Sequence, residues 1–286
     1  MTAQELAFEI GDMRYAAKAW GDPNSLPVLA LHGWLDNAAS FDVLAPMLAD
    51  SYIVAPDMAG HGQTSHRPYS GSYNIWDDLH DLLSIADACG WPRFTLLGHS
   101  RGAIVALLLA VAAPERISAA VLLDGFLPPP SSVEQTVTQL RKHVSDFRKY
   151  SHQSSSFIHP SIAAAVEARL RQMPMPKDAA QRIVERSLQQ VDGGYVWRYD
   201  ERLKAASALK LCAGNIENIL AELTVPTLLL LAEHGISERA GLKSTLQTAS
   251  GVRQVMLPGM HHFHMETEPA RQIAGQVSYF LKSATP

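Results

Sequence analysis

The sequence predicts an α/β fold: a mostly parallel sheet with helices on both faces and an inserted helical cap. Three observations predict it. Short, continuous apolar runs recur along the chain, and such runs suit strands buried on both faces. Segments with helical apolar spacing separate these runs, the alternation expected of a parallel sheet covered on both sides. The alternation then stops between Leu123 and Val225, where helical stretches follow one another with no buried-strand run.

The first element is a hairpin over Phe8 to Trp20. Phe8 and Ile10 alternate with polar neighbours, Gly11-Asp12 is a turn signal, and Tyr15 opens the return strand. The buried-strand runs follow: Pro27 to Leu31, Tyr52 to Pro56, Phe94 to Leu97, Ile117 to Leu123, Val225 to Ala232 and Val252 to Leu257. Among the helices, Asn74 to Cys89 carries Ile75, Leu79, Leu82, Leu83 and Ala86 at helical spacing, and Gly90 stops it. Arg101 to Ala112 is apolar nearly all round and is expected to be buried on most sides. Ser237 to Ala249 and Pro269 to Leu281 are amphipathic. Inside the interruption, Pro128-Pro129-Pro130 halts regular structure, and helices are expected over Val133 to Tyr150, Ser161 to Met173 and Lys177 to Val191. The expected division is therefore a core of residues 1–127 and 216–286 and a helical cap of residues 128–215. Insertions of this kind lie over the C-terminal strand ends, where sites of α/β proteins gather.

Composition narrows the function. Of 286 residues, 47% are hydrophobic and 18% charged, enough apolar material for a core, which excludes a disordered chain. The net charge is -4 and no basic block is present, which excludes a nucleic-acid surface. The longest apolar run, Ala103 to Ala113, falls short of the roughly 20 residues of a spanning helix, so no membrane span is expected. Met1 to Gly11 carries Glu5 and Glu9 and lacks a basic segment followed by an apolar one, so no secretory signal is expected and the default location is cytoplasmic. Cys89 and Cys212 are too few for a disulfide framework and read as reduced core thiols.

The strongest chemical signal is Gly98-His99-Ser100-Arg101-Gly102, between the strand ending at Leu97 and the helix opening at Arg101. A sharp strand-to-helix turn strains the serine backbone, and glycines on either side remove the Cβ clashes that would forbid it. Ser100 Oγ is then presented above the sheet beside a helix N-terminus, which favours developing negative charge. A nucleophilic serine needs two N–H donors for the oxyanion. The backbone N–H of Arg101 is one candidate. The N–H of Trp34, just after His32-Gly33 at the end of a buried strand, is the other, and the Trp34 ring is a candidate pocket wall. His32 itself reads as a structural residue that holds this loop.

The serine also needs a base. His261 is the first candidate, in Pro258-Gly259-Met260-His261-His262-Phe263-His264-Met265-Glu266 after the last strand run, with His262 and His264 as competitors. Three histidines so close also raise a metal site, but no carboxylate or cysteine joins them at ligand spacing, and no metal is expected.

The chain resembles the α/β-hydrolase superfamily over nearly its whole length. The matching pieces are His32-Gly33-Trp34, Asp57-Met58-Ala59-Gly60-His61-Gly62-Gln63-Thr64-Ser65, Gly98 to Gly102, and His261 to Glu266. The second piece is similar to a loop that is usually structural in the family. The last is similar to an ending in which the first histidine is catalytic, which favours His261. His32-Gly33-Trp34-Leu35-Asp36-Asn37, with Gly194-Tyr195-Val196-Trp197-Arg198-Tyr199-Asp200, is similar to the serine-hydrolase-like branch.

One departure from the family pattern directs the choice of acid. Members commonly carry it after the seventh strand of the family's sheet, where this chain has Ala232-Glu233-His234-Gly235, with glycine at the expected Asp. The family's second solution places it after the sixth, where this chain has Leu122-Leu123-Asp124-Gly125. Asp124 is therefore expected to be the acid, with Glu233 and Glu238 as alternatives. Phe126, Phe147, Trp197 and Tyr199 are candidate pocket residues or, equally, cap core. Arg101 beside the nucleophile is expected either to meet a substrate carboxylate or to be ion-paired.

The resemblance implies a serine hydrolase acting on an ester, or a related acyl bond, of a small molecule through Ser100, His261 and Asp124, without a cofactor. Two alternatives remain at this point. One is a cofactor-independent dioxygenase of the same fold using His261 and Asp124 as a dyad. The other is a non-catalytic binding protein.

Overall fold

The computed structural model describes residues 2–152, 157–238, 245–247, 249 and 251–284. The chain opens with the hairpin β1 (Gln4–Ile10) and β2 (Met13–Trp20), followed by β3 (Leu26–Leu31), β4 (Ser51–Pro56), β5 (Phe94–His99), β6 (Ile117–Leu123), β9 (Thr227–His234) and β10 (Val252–Met260). These eight form one sheet in the order β1-β2-β4-β3-β5-β6-β9-β10. The β1–β2 and β2–β4 pairs are antiparallel, and every later pair is parallel.

Period-two alternation explains why the strand runs are continuously apolar. Leu29 and Leu31 of β3, Leu96 of β5 and Leu229 of β9 enter one core layer with Leu82 and Ile85 of α1 (Asp78–Ala88) and most of α2 (Arg101–Ala112). Val28 and Ala30, Leu97, and Leu228 and Leu230 enter the other layer, against Ile273 and Val277 of the C-terminal helix, Thr267–Ala284. Each of these inner strands thus buries both faces, as the parallel arrangement requires, whereas the edge strands β1 and β10 keep exposed positions.

Between β6 and β9 the chain forms α3 (Thr136–Ser151), α4 (Ile162–Gln172), α5 (Lys177–Ser187), the hairpin β7 (Leu188–Val191) and β8 (Gly194–Trp197), and α6 (Ala213–Ala221). The C-terminal helix is α7. This segment has its own small core, in which Ala165 and Val166 of α4 meet Ala179, Ile183 and Val184 of α5. It is tied to the loops that follow β3 and β4. Arg169 pairs with Asp36, Arg186 binds Asp57 through Nε at 2.9 and 3.0 Å, and Asn37 donates to the Ile183 carbonyl at 2.7 Å.

Several boundaries differ from the expectations. The helix expected over Lys177 to Val191 ends at Ser187, and Leu188–Val191 pairs with Gly194–Trp197 around Asp192-Gly193. An Asp-Gly pair is a strong hairpin signal, and the helical spacing before it masked this one. The helix expected from Asn74 starts at Asp78, because Asn74 N–H is capped by Asp77 Oδ2 at 2.8 Å in a preceding turn. Most of the helix expected over Ser237 to Ala249 lies outside the described residues. Cys89 and Cys212 are free and partly exposed rather than fully buried, and Cys212 N-caps α6. Among the described residues no helix is long and apolar enough to cross a membrane.

Candidate active site

The site is assembled at the C-terminal ends of β3, β5, β6 and β10. β5 runs into α2 with Ser100 at the junction, at φ 52° and ψ -114°. That conformation is open to serine only because its neighbours are bare. A Cβ on Gly98 would stand 2.4 Å from the Gly102 carbonyl oxygen, and one on Gly102 would stand 2.1 Å from that of Leu31. Only Leu35, Ser100 and Asp124 have positive φ among the described non-glycine residues, and all three lie at or beside this site. Strain of this kind costs about 1–3 kcal/mol per residue and concentrates where function demands a fixed geometry.

Ser100 Oγ is 3.0 Å from His261 Nε2, and His261 Nδ1 is 2.6 Å from Asp124 Oδ2. Asp124 is fully buried at the end of β6. Its Oδ1 accepts the Ala232 N–H at 3.0 Å, and Oδ2 also accepts the Ile236 N–H at 3.0 Å. Each of these hydrogen-bond partners is a donor, and together they fix the carboxylate with Oδ2 toward the imidazole. Gly235 explains the departure read in the sequence. A Cβ there would lie 2.2 Å from Asp124 Oδ2, so the Asp124 carboxylate occupies the space that a side chain at 235 would take. Glu233 and Glu238 are exposed, and Glu238 faces His234.

The remaining histidines have other partners. His99 Nε2 donates to the His261 carbonyl at 2.9 Å, His262 Nε2 bonds Asp36 at 3.2 Å, and His264 Nε2 bonds Ser40 Oγ at 2.7 Å. They fasten the His261 loop to β5 and to the loop after β3, and neither His262 nor His264 meets Ser100. Burial pushes the imidazoles of His99 and His264 well below the ordinary value, and neighbouring histidines push them further. For Asp36, burial opposes ionisation, but His262, Arg169 and His99 outweigh it and hold the carboxyl well below the usual range. The fold brings to the histidines a carboxylate that local spacing could not reveal. Asp36, His99 and His262 offer donor atoms within 4.8 Å of one another, the donor set of a metal site. Asp36 is already bound by Arg169 and His262, and a cation there would face the Arg169 guanidinium.

The loop after β3 is held by His32, whose Nε2 accepts the Met58 N–H at 2.9 Å while Nδ1 donates to the Gly33 carbonyl at 2.8 Å. This pairing requires the neutral ring, and burial lowers its pKa accordingly. Among the described residues, the backbone N–H groups of Trp34 and Arg101 have no hydrogen-bond partner within the protein. Two unused donors flanking a serine suit an oxyanion. The Trp34 indole N–H donates to the Leu203 carbonyl at 2.9 Å, which carries its ring across to the inserted segment. The Arg101 side chain pairs with buried Asp78 of α1 at 2.7 Å, so its ion partner lies within the protein.

Two cavities lie here. A small one, about 100 Å³, is lined by Ser100, Asp124, Phe126 and Ile236. A larger one, about 840 Å³, is lined in part by Trp34 and Arg101. Of the aromatic residues singled out in the sequence, Phe126 and Trp34 therefore line cavities at the site. Phe147 packs on Tyr69 and Arg202, and Trp197 stacks on Tyr199, which lies beneath Lys204. These three line neither cavity. The walls that sequence reasoning missed, such as Ile104, Pro128 and Pro129, carry no signal beyond being apolar.

Comparison with known proteins agrees with this architecture. Residues 27–235 match the family model described as alpha/beta hydrolase fold. The chain is 31% identical to serine hydrolase-like protein 2 of Homo sapiens, over 93% of this chain and 90% of that protein. It is 29% identical to a serine hydrolase-like protein of Danio rerio, over 96% and 87%. A crystal structure of a hypothetical protein from Pseudomonas aeruginosa PAO1 superposes with a TM-score of 0.91 at 38% identity, covering 98% of this chain and 99% of that one. The thioesterase domain from the curacin biosynthetic pathway superposes with a TM-score of 0.84 at 25% identity, covering 97% and 100%. With a fold, a strand-to-helix serine and relatives that all agree, the chain belongs to the α/β-hydrolase superfamily, in its serine-hydrolase-like branch.

Proposed function

We propose that the protein is a serine hydrolase that cleaves a carboxylic ester, or the related thioester, of a small molecule through an acyl-enzyme. The observation that carries this reading is the unbroken chain Ser100 Oγ to His261 Nε2 to Asp124 Oδ2, at 3.0 and 2.6 Å. Ser100 Oγ attacks the carbonyl carbon as its proton passes to His261 Nε2. Asp124, held by two backbone N–H groups, keeps Nδ1 protonated and stabilises the imidazolium. The N–H groups of Trp34 and Arg101 receive the oxyanion. When the tetrahedral intermediate collapses, the imidazolium gives its proton to the leaving oxygen or sulfur. Water, deprotonated by His261, then attacks the acyl-enzyme, and the carboxylic acid leaves with Ser100 restored.

In this reading residues 1–127 and 216–286 form the catalytic core, and residues 128–215 act as a cap over it. Each proton transfer is assigned to a side chain at hydrogen-bond distance from the next. The serine-hydrolase-like relatives and the thioesterase-domain neighbour support acyl transfer as the reaction class. The test is hydrolysis of p-nitrophenyl butyrate by the wild type and by Ser100→Ala. Loss of a nucleophile that acts with its base costs up to about 10⁶ in kcat, so the variant is expected at background. Turnover by Ser100→Ala near the wild-type rate would exclude covalent catalysis at this serine.

A further inference from the structure

The small cavity at Ser100 adjoins the larger one, for Ile104, Pro128 and Pro129 wall both. The larger, at about 840 Å³, falls within the size of small-molecule pockets. Its floor is one face of α2, formed by Ile104, Leu108, Val111 and Ala112 at helical spacing, with Leu79 and Leu211 among the opposing walls. Two cations reach the groove and both are neutralised. Arg101 pairs with Asp78 at 2.7 Å, and Lys204 pairs with Glu201 at 2.8 Å. A third, Lys210, stands on the exposed rim. The interior therefore suits an uncharged, apolar ligand.

The position of the groove decides which part of a substrate enters it. The leaving group must be reached by the imidazolium, and the small cavity is the one bounded by Asp124 and Ile236 on that side. His261 itself lines neither cavity, but its partner Asp124 bounds the small one, whereas the larger is bounded by Trp34 and Arg101, whose N–H groups the proposed mechanism gives to the oxyanion. The carbonyl substituent that stays on the serine thus lies toward α2. Along that helix, Arg101 to Ala112 rises roughly 16 Å. A zigzag carbon chain with bonds of about 1.5 Å advances roughly 1.25 Å per carbon, which makes the groove about 13 carbons long.

We propose that this groove binds the acyl chain of the substrate, a straight fatty acyl group of medium to long length, with its carbonyl at Ser100 and its tail running along α2 toward Ala112. The inference rests on the serine-hydrolase reading above and names its substrate class.

The experiment is a chain-length series of p-nitrophenyl esters from acetate to tetradecanoate, with alkyl acetates of rising alcohol length as the contrast. The kcat/KM is expected to rise up to about fourfold per added acyl methylene until the groove is filled, and to show no such rise with alcohol length. Leu108→Trp, which fills the middle of the groove, is expected to abolish the gain for decanoate and longer, so that the profile of kcat/KM against chain length turns flat or falls past octanoate. Ala112→Trp, at an exposed position the fold tolerates, is expected to lower dodecanoate and longer esters but not octanoate. Ser100-dependent turnover that falls beyond butyrate, or rises with alcohol length instead, overturns the acyl groove and leaves the serine-hydrolase reading intact. If no ester is turned over, the hydrolase reading fails. The groove is then decided by titrating dodecanoate and butyrate into Ser100→Ala. Tighter binding of dodecanoate that is lost on adding Leu108→Trp supports it, and equal or absent binding overturns it.

Discussion

Replacing Asp124 by Asn removes one charge and leaves the shape of the side chain unchanged, and the surroundings of that carboxylate set the size of the effect. The two oxygens accept from Ala232 N–H, Ile236 N–H and His261 Nδ1. An amide offers only one acceptor oxygen. If its oxygen faces His261, its NH₂ opposes the Ala232 N–H; if it is flipped, the NH₂ opposes Ile236 and forces the wrong imidazole tautomer. Leaving a buried donor unsatisfied costs about 1–3 kcal/mol of stability, so the variant is expected to fold. Its kcat is expected to fall by about 10³–10⁴, which corresponds to about 4–5.5 kcal/mol of transition-state stabilisation. The same geometry predicts an exchange. Gly235→Asp in the wild type collides with Asp124, whose Oδ2 is 2.2 Å from the required Cβ, and is expected to lose both stability and activity. In Asp124→Gly the space is vacant, and adding Gly235→Asp returns a carboxylate beside His261. The double variant is expected to exceed Asp124→Gly by about tenfold or more, a coupling that independent sites do not show. The assay is kcat on p-nitrophenyl butyrate with urea unfolding as the control. A loss under about tenfold for Asp124→Asn, together with a large loss for the exposed Glu233→Gln, would refute the assignment.

Three further outcomes are expected. His261→Ala loses activity on the scale of Ser100→Ala, whereas His262→Ala mainly loses stability because it removes a partner of buried Asp36; a silent His261→Ala enzyme with the opposite pattern would refute this, and kcat with thermal melting separates the two. Arg101→Met is expected to cost roughly 2–4 kcal/mol by leaving Asp78 buried with only the more distant Arg67, yet to keep kcat within about tenfold because the backbone N–H remains; denaturant titration and steady-state kinetics check it. The imidazoles of His32, His61, His99 and His264 are all pushed down by burial, so they stay neutral in the native protein while the unfolded chain protonates below about pH 6.5. Stability is thus present above that pH and lost as pH falls, by up to about 1.4 kcal/mol per pH unit for each histidine. Urea unfolding of Ser100→Ala between pH 7.5 and 5 reads this, and a flat profile would contradict it.

The inner strands, their two-sided burial and the strand-to-helix turn that carries Ser100 were legible because each rests on local pattern: continuous apolar runs, helical spacing and two glycines around a serine. The segment between β6 and β9 was legible as an interruption but not in detail, since the apolar spacing of α5 runs into β7 without a break and only Asp192-Gly193 marks the change. Candidate site residues that directly follow a strand end could be placed from the sequence. Those that meet through space were not. Asp36 reaches His262 and Arg169 across large separations in sequence, and nothing near any of them in the chain signals the contact. Phe147, Trp197 and Tyr199 were singled out for being aromatic, yet each finds an aromatic or cationic neighbour within the inserted segment or at its edge. The walls of the larger cavity are ordinary apolar residues whose role depends on which face of α2 the opposing loops leave uncovered.

The central claim is that Ser100 is a nucleophile activated by His261, and the most direct measurement is intact-protein mass after reaction with a fluorophosphonate, followed by peptide mapping. The account predicts a single adduct on the peptide carrying Ser100, none on Ser100→Ala, and strongly slowed labelling of His261→Ala. Labelling of Ser100→Ala at the wild-type rate, or an unlabelled wild type that still hydrolyses esters, would contradict it.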